Sequence, residues 1–193
     1  MIKTMRLFVP LCVSALLLAA GESIPSQPRP FAVDPAQTKV EFTLGSLLHT
    51  VHGDFHLKHG TLSFDPQSGR VSGELVVDAT SGESGSPARD KRMHVAILES
   101  AKYPEIAFRP DRVDGQVAPV GKSQVQLHGL FAIHGVEHEI LFPATVDAAA
   151  GQYTVSCTFE VPYVKWGMKN PSTLLLRVSD KVEITIHTVV HTM

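Results

Sequence analysis

"QYTVSCTFEV", residues 152–161, alternates apolar and polar side chains along its whole length. Successive residues of a β-strand point to opposite faces of the sheet, so this alternation predicts a strand with one apolar face. A helix would spread the same apolar residues around its circumference. The apolar positions are Tyr153, Val155, Cys157, Phe159 and Val161.

The same alternation recurs on both sides of this stretch. It is seen over residues 39–44, 71–78, 124–133, 140–144 and 181–187. Turn-forming residues separate several of these segments, as in "DPQSGR" (65–70), "DGQVAPVGK" (114–122) and "DAAAGQ" (147–152). About eight to ten strands at this spacing are typical of an antiparallel sandwich or barrel. The sequence therefore predicts an all-β fold.

One segment departs from the strand pattern. In "RDKRMHVAILES" (89–100), Met93 and Ile97 lie four residues apart, which favours a short helix around 89–99. Asp90 is the expected N-cap, and "TSGESGSPA" (80–88) is the expected loop before it.

The first 21 residues have the layout of a secretory signal peptide, with Lys3 and Arg6 followed by an apolar run and small residues up to Gly21. The run is shorter than the roughly 20 apolar residues of a membrane span. We therefore expect cleavage near Gly21, no stable membrane insertion afterwards, and a periplasmic or secreted protein. "ESIPSQPRP" (22–30) is rich in Pro and Ser and predicts a linker to a single domain over 31–190.

"HTVHGDFHLKH" (49–59) holds four of the ten histidines. On a helix they would form one metal-binding stripe, but Gly53 and neighbouring β-branched residues favour a strand. There His52 and His56 share the outer face about 13 Å apart, too far to bind one zinc ion. His59 is expected in a hairpin turn. We predict no metal site, with weak metal binding by surface histidines left as an alternative function.

Composition and motifs argue against several other functions. With 17 Lys and Arg against 19 Asp and Glu, the net charge of −2 gives no support for nucleic-acid binding. "HEILF" (138–142) lacks the second histidine of a zinc-protease motif, and "GESGS" (82–86) lacks the final glycine of a nucleophile elbow. We expect no catalytic residues, no cofactor and no enzyme activity, although an enzyme acting on a bound lipid remains a competing class.

Five stretches, in this order, resemble the YceI-like lipid/polyisoprenoid-binding family of exported bacterial proteins. They are "HTVHGDF" (49–55), "GTLSFDP" (60–66), "RDKRMH" (89–94), "YPEIAF" (103–108) and "VQLHGLFAIHGVEHEI" (125–140). The resemblance covers residues 31–190 and is looser at "WGMKNPS" (166–172). It implies an extended, lipocalin-like antiparallel barrel that binds a long amphiphilic lipid, such as a polyisoprenoid or isoprenoid quinone, in its apolar interior.

The candidate binding residues follow from that expectation. The apolar side chains that either line a cavity or fill the barrel are Phe42, Phe55, Phe108, Phe131, Phe142, Val155, Phe159 and Trp166. Trp166 either plugs one opening or anchors a loop. Arg89 and Arg92, at the start of the helix, are expected to meet an anionic head group. A filled barrel with a structural or stress-related role, and a homodimer, both stay open.

Overall fold

Nine strands account for most of the chain that this computed structural model describes, which is residues 28–149 and 151–193. The strands are β1 (Arg29–Val33), β2 (Lys39–Gly45), β3 (Thr50–Phe64), β4 (Val71–Glu83), β5 (Glu105–Asp114), β6 (Gly121–Ile133), β7 (Val136–Ala149), β8 (Gln152–Val161) and β9 (Val182–Thr192). A 3₁₀ turn covers Pro35–Gln37, and the helix α1 (Pro87–Arg92) runs into a π-helical turn, Met93–Ile97. The predicted signal peptide lies outside the described residues.

Strands β2 to β9 form a closed antiparallel barrel, because each pairs with the next strand along the chain and β9 returns to β2. The short strands β1 and β2 both lie between β3 and β9, at different heights along these two strands. Phe31 of β1 pairs with Leu62 near the end of β3, whereas Phe42 of β2 pairs with Gly53 near its start. The predicted all-β fold, an antiparallel barrel of eight strands with one short helix, is confirmed.

The helix boundary and the loop before it differ from the prediction. α1 begins at Pro87 after Ser86, because proline is favoured in the first helical turn, where its missing N–H is not needed. Asp90 is therefore not the N-cap, and its carboxylate instead accepts hydrogen bonds from the backbone N–H and hydroxyl of Ser84. Residues 80–83 of the predicted loop continue β4.

His59 also lies in a strand rather than in a turn. β3 runs unbroken from Thr50 to Phe64, and a bulge between Leu57 and His59 shifts its register against β4. The hairpin turn comes later, at "DPQSGR" (65–70), as predicted. At the other end of the domain, β1 begins at Arg29, so the last two residues of the predicted linker belong to the barrel.

The barrel has two distinct ends. The connections at residues 46–49, 84–104, 134–135 and 162–181 lie at one end, which we call the mouth end. The hairpin turn at 65–70 and the last residues of β9 lie at the opposite end. Among the described residues, no helix is long and apolar enough to cross a bilayer.

Candidate functional site

A cavity of about 570 Å³ occupies the half of the barrel nearest the mouth end. Inward-facing strand side chains form most of its wall, which is why the period-two alternation of the sequence produces an apolar surface here. Met93, Ile97 and Leu98 close one side from the helical segment, while Tyr163 and Met168 close another from the connection between β8 and β9. The site is therefore an apolar chamber with irregular structure around its entrance.

Four of the predicted aromatic residues lie on the cavity wall, namely Phe42, Phe55, Phe108 and Phe131. The rings of Phe42 and Phe55 contact each other with centroids 5.4 Å apart. Gly53 allows this arrangement, because a Cβ atom there would overlap the Phe42 ring and the carbonyl oxygen of Glu83. These aromatic rings present a continuous apolar surface to whatever enters.

Three other predicted residues face inward but do not line the cavity. Phe142 stacks on Phe159 with centroids 4.4 Å apart and also contacts Phe108 at 5.4 Å. Val155 lies nearer the end opposite the mouth and packs against the clusters that contain Phe142 and Phe31. Phe159 lies two residues from the mouth end of β8, and its ring is 6.0 Å from that of Phe131 on the cavity wall, so the Phe142–Phe159 stack packs beside the cavity. The interior is thus hollow in one part and filled in another, and the alternatives left open by the sequence each describe one part.

Trp166 is also absent from the cavity wall. Its ring stacks on His138, with centroids 4.0 Å apart and planes 4° apart, and lies 5.9 Å from Phe131. These contacts show a packed loop anchor. Burial lowers the pKa of His138, whose Nε2 atom is buried without a hydrogen-bond partner in the described part of the chain.

The two predicted head-group residues lie at the entrance of the cavity but differ in their contacts. Arg89 is held in place, because its Nε donates to Ser84 Oγ and its Nη2 to the Ser84 carbonyl, both at 2.7 Å. The exposed side chain of Arg92 makes no hydrogen bond or ion pair with any described residue. Of the two arginines, Arg92 is therefore the one whose side chain has no partner among the described residues.

Sequence reasoning missed the residues that irregular segments bring to the cavity. Ser46 and His49 line it from the turn between β2 and β3, and Leu176 and Val178 from the long connection before β9. Alternation reveals residues within strands but not those of loops folded over a barrel end. The apolar character of "STLLLRV" (172–178) was the available signal.

The polar outer wall carries its own interactions. His128 lies between β5 and β7, with Nδ1 2.6 Å from Asp111 and Nε2 2.8 Å from Glu139. These two hydrogen-bonded carboxylates raise the pKa of His128. Within residues 28–149 and 151–193, no three His, Cys, Asp or Glu side chains are grouped to hold a metal ion.

Cys157 is buried in the packed cluster that contains Phe142. Burial raises the pKa of its thiol to about 12. Because the thiolate is the reactive form, this cysteine is a packing residue and not a nucleophile at neutral pH.

Comparisons with known proteins point to one family. The model of the YceI-like domain matches residues 31–190. BcnA of Burkholderia cenocepacia is similar in structure, with a TM-score of 0.68 at 18% identity over 81% of this chain and 98% of that chain. A polyisoprenoid-binding domain from Saccharophagus degradans, implicated in plant cell wall breakdown, gives 0.67 at 15% identity over 84% and 98%. No curated protein matches.

A further similar structure is the YCEI protein of Campylobacter jejuni, with a TM-score of 0.59 at 18% identity over 76% of this chain and 86% of that chain. At such low identities these structures show a shared fold. The sequence match to the YceI-like domain model, over residues 31–190, is the comparison on which a family assignment rests.

Proposed function

Because the chain belongs to the YceI-like domain family, as its sequence motifs predicted, we propose that it is an exported carrier that holds the tail of one long amphiphilic lipid in its mouth-end cavity. The lipid class is a polyisoprenoid or an isoprenoid quinone. The observation that carries this proposal is the apolar chamber of about 570 Å³ with a cation at its entrance. Ligand pockets of small molecules typically span about 300–1,000 Å³.

The energetic reason for such a carrier is the cost of exposing a hydrocarbon tail to water. Each CH₂ group moved into an apolar interior gains about 0.8 kcal/mol. Phe42, Phe55, Phe108 and Phe131 supply the apolar surface, and no reactive residue is needed. Since packed side chains such as Phe142 and Val155 fill the rest of the interior, a tail longer than the cavity folds back or extends through the entrance.

The head group of the lipid would remain at the entrance. Arg92 is free to bind a phosphate or another anionic group, and Arg89 supports the loop through its bonds to Ser84. The proposal thus assigns direct contact to Arg92 and a positioning role to Arg89. It includes export through the predicted signal peptide, residues 1–21, and no catalysis.

A polyisoprenoid-binding relative supports this assignment over a purely structural role. The Saccharophagus degradans domain, described as polyisoprenoid-binding, shares the barrel fold. A filled barrel with a structural role is the alternative, and the mouth-end cavity weighs against it because an empty apolar cavity stabilises nothing by itself.

The experiment is a titration with a fluorescent prenyl probe, read by energy transfer from Trp166, the only tryptophan. Val182→Phe would add a ring to the cavity wall near the entrance, and we expect at least about tenfold weaker binding from overpacking. Val189→Phe is the matched control, because Val189 lies on the same strand with opposite parity and outside the cavity lining. Equal affinities for both variants would contradict binding in this cavity.

A further inference from the structure

Two tight turns at the mouth end each display a pair of exposed leucines. In "SLLH" (46–49) the Ser46 N–H donates to the His49 carbonyl at 3.1 Å, and in "TLLL" (173–176) the Thr173 N–H donates to the Leu176 carbonyl at 2.8 Å. The four residues at the tips, which we call the leucine rim, are Leu47 (72% exposed), Leu48 (74%), Leu174 (101%) and Leu175 (86%). Gly, Pro, Asn, Asp and Ser usually occupy such turn positions.

The two turns are joined to each other and to the cavity. The Leu47 N–H donates to the Arg177 carbonyl, and the Ser179 N–H donates to the Gly45 carbonyl, both at 2.9 Å. Ser46, His49, Leu176 and Val178, which flank the tips, line the cavity. The apolar surface therefore continues from the leucine rim into the chamber. Clustered exposed apolar residues of this kind mark an interaction site.

The charge of this end is opposite to that of the whole chain. The four mouth-end connections carry eight Lys and Arg against three Asp and Glu, a net charge of +5, whereas the chain carries −2. The mouth-end cations whose side chains make no hydrogen bond or ion pair with a described residue are Lys91, Arg92, Lys165, Lys169 and Arg177. An apolar edge with free cations beside it is the combination that binds anionic membrane surfaces.

We propose that the leucine rim and these cations dock the mouth on an anionic phospholipid bilayer, so that a lipid tail passes into the cavity without crossing water. This inference rests on the proposed function. A second copy of the chain fits the same surface less well, because two mouths that each carry +5 would repel. Four leucines on two narrow turns also offer little of the roughly 800 Å² per partner that a stable interface buries.

The test is flotation of the protein, without its predicted signal peptide, with vesicles of equal parts phosphatidylcholine and phosphatidylglycerol. We expect binding that falls as salt rises and is much weaker on phosphatidylcholine alone. Leu174→Ser with Leu175→Ser should weaken binding about tenfold for each leucine that enters the bilayer. Lys169→Gln with Arg177→Gln should weaken it about fivefold per charge, on the anionic vesicles only.

Matched controls lie elsewhere on the barrel. One control variant replaces Leu141, which is 57% exposed on the outer wall of β7, with serine. The other replaces Lys122, which is exposed at the barrel end opposite the mouth, with glutamine. Both variants should float like the parent protein. Failure of the parent to float with anionic vesicles, or equal losses in the control variants, would overturn the proposal. So would a leucine-dependent dimer, seen by sedimentation, that does not bind vesicles.

Prenyl-probe binding in the absence of vesicles separates this inference from the function on which it rests. Probe uptake without vesicle binding would overturn docking and leave the carrier function standing. Vesicle binding that depends on the leucine rim, without probe uptake, would support docking and remove the carrier function.

Discussion

Replacing Phe142 with alanine tests whether the barrel interior is solid beside the cavity. Phe142 is 4% exposed, and its ring contacts those of Phe159 and Phe108 at centroid distances of 4.4 and 5.4 Å. Removing a phenylalanine ring from a packed core costs about 3–5 kcal/mol of unfolding free energy. A domain near the middle of the usual range of about 5–15 kcal/mol would remain folded, with a melting temperature lower by roughly 10 °C.

Phe42→Ala is the informative comparison. Phe42 is 6% exposed and contacts Phe55, but part of its ring faces the cavity, where no protein atoms pack against it. Its truncation therefore loses fewer contacts, and we expect a loss smaller by about 1–2 kcal/mol. Affinity for the prenyl probe should fall in Phe42→Ala and stay unchanged in Phe142→Ala.

Urea unfolding followed by circular dichroism measures the two free energies, and probe titration at a temperature below both transitions measures the affinities. Equal destabilisation by the two variants would refute the division of the interior into a hollow and a filled part. Lower probe affinity in Phe142→Ala than in Phe42→Ala would refute it equally.

Three further outcomes follow from individual side chains. Arg92→Gln should weaken binding of a prenyl phosphate about tenfold, as expected for a lost charged hydrogen bond, and should leave binding of an uncharged prenol unchanged. Lys91→Gln removes an exposed cation outside the cavity lining and should change neither affinity. Burial raises the pKa of the Cys157 thiol to about 12. In the chain without its predicted signal peptide, this thiol should therefore react with a disulfide reagent at pH 8 only after unfolding. Rapid reaction of the native protein would show that the thiol is not buried. The raised pKa of His128 means that its contribution to stability is fully present below its ordinary value of 6.5 and is lost as pH rises through the higher folded value. The stability difference between the parent and His128→Gln should accordingly shrink with rising pH, and a pH-independent difference would contradict the pairing.

The strands could be predicted from sequence because their signal is local. In residues 152–161 every second side chain is apolar, and the structure makes this stretch β8. The alternation also placed Phe142, Val155 and Phe159 inside the barrel. Parity gives the face of a sheet but not the position around or along a barrel, so it could not separate these residues from Phe42 and Phe131 on the cavity wall.

The entrance was less predictable because it is built from segments distant in the chain. The helix begins earlier than expected, since Pro87 suits the first helical turn. The bulge beside His59 depends on pairing with β4 and has no local signature. The contact between residues 46–49 and 171–179 joins parts of the chain more than a hundred residues apart. A periodic pattern of apolar residues within one segment cannot reveal such a contact.

The native mass of the exported protein, purified without detergent and measured before and after organic extraction, tests the central claim most directly. The account predicts a one-to-one adduct whose mass matches a polyisoprenoid or an isoprenoid quinone and which extraction removes. A bare protein mass, together with failure to take up the prenyl probe, would contradict the claim that the mouth-end cavity holds a lipid tail.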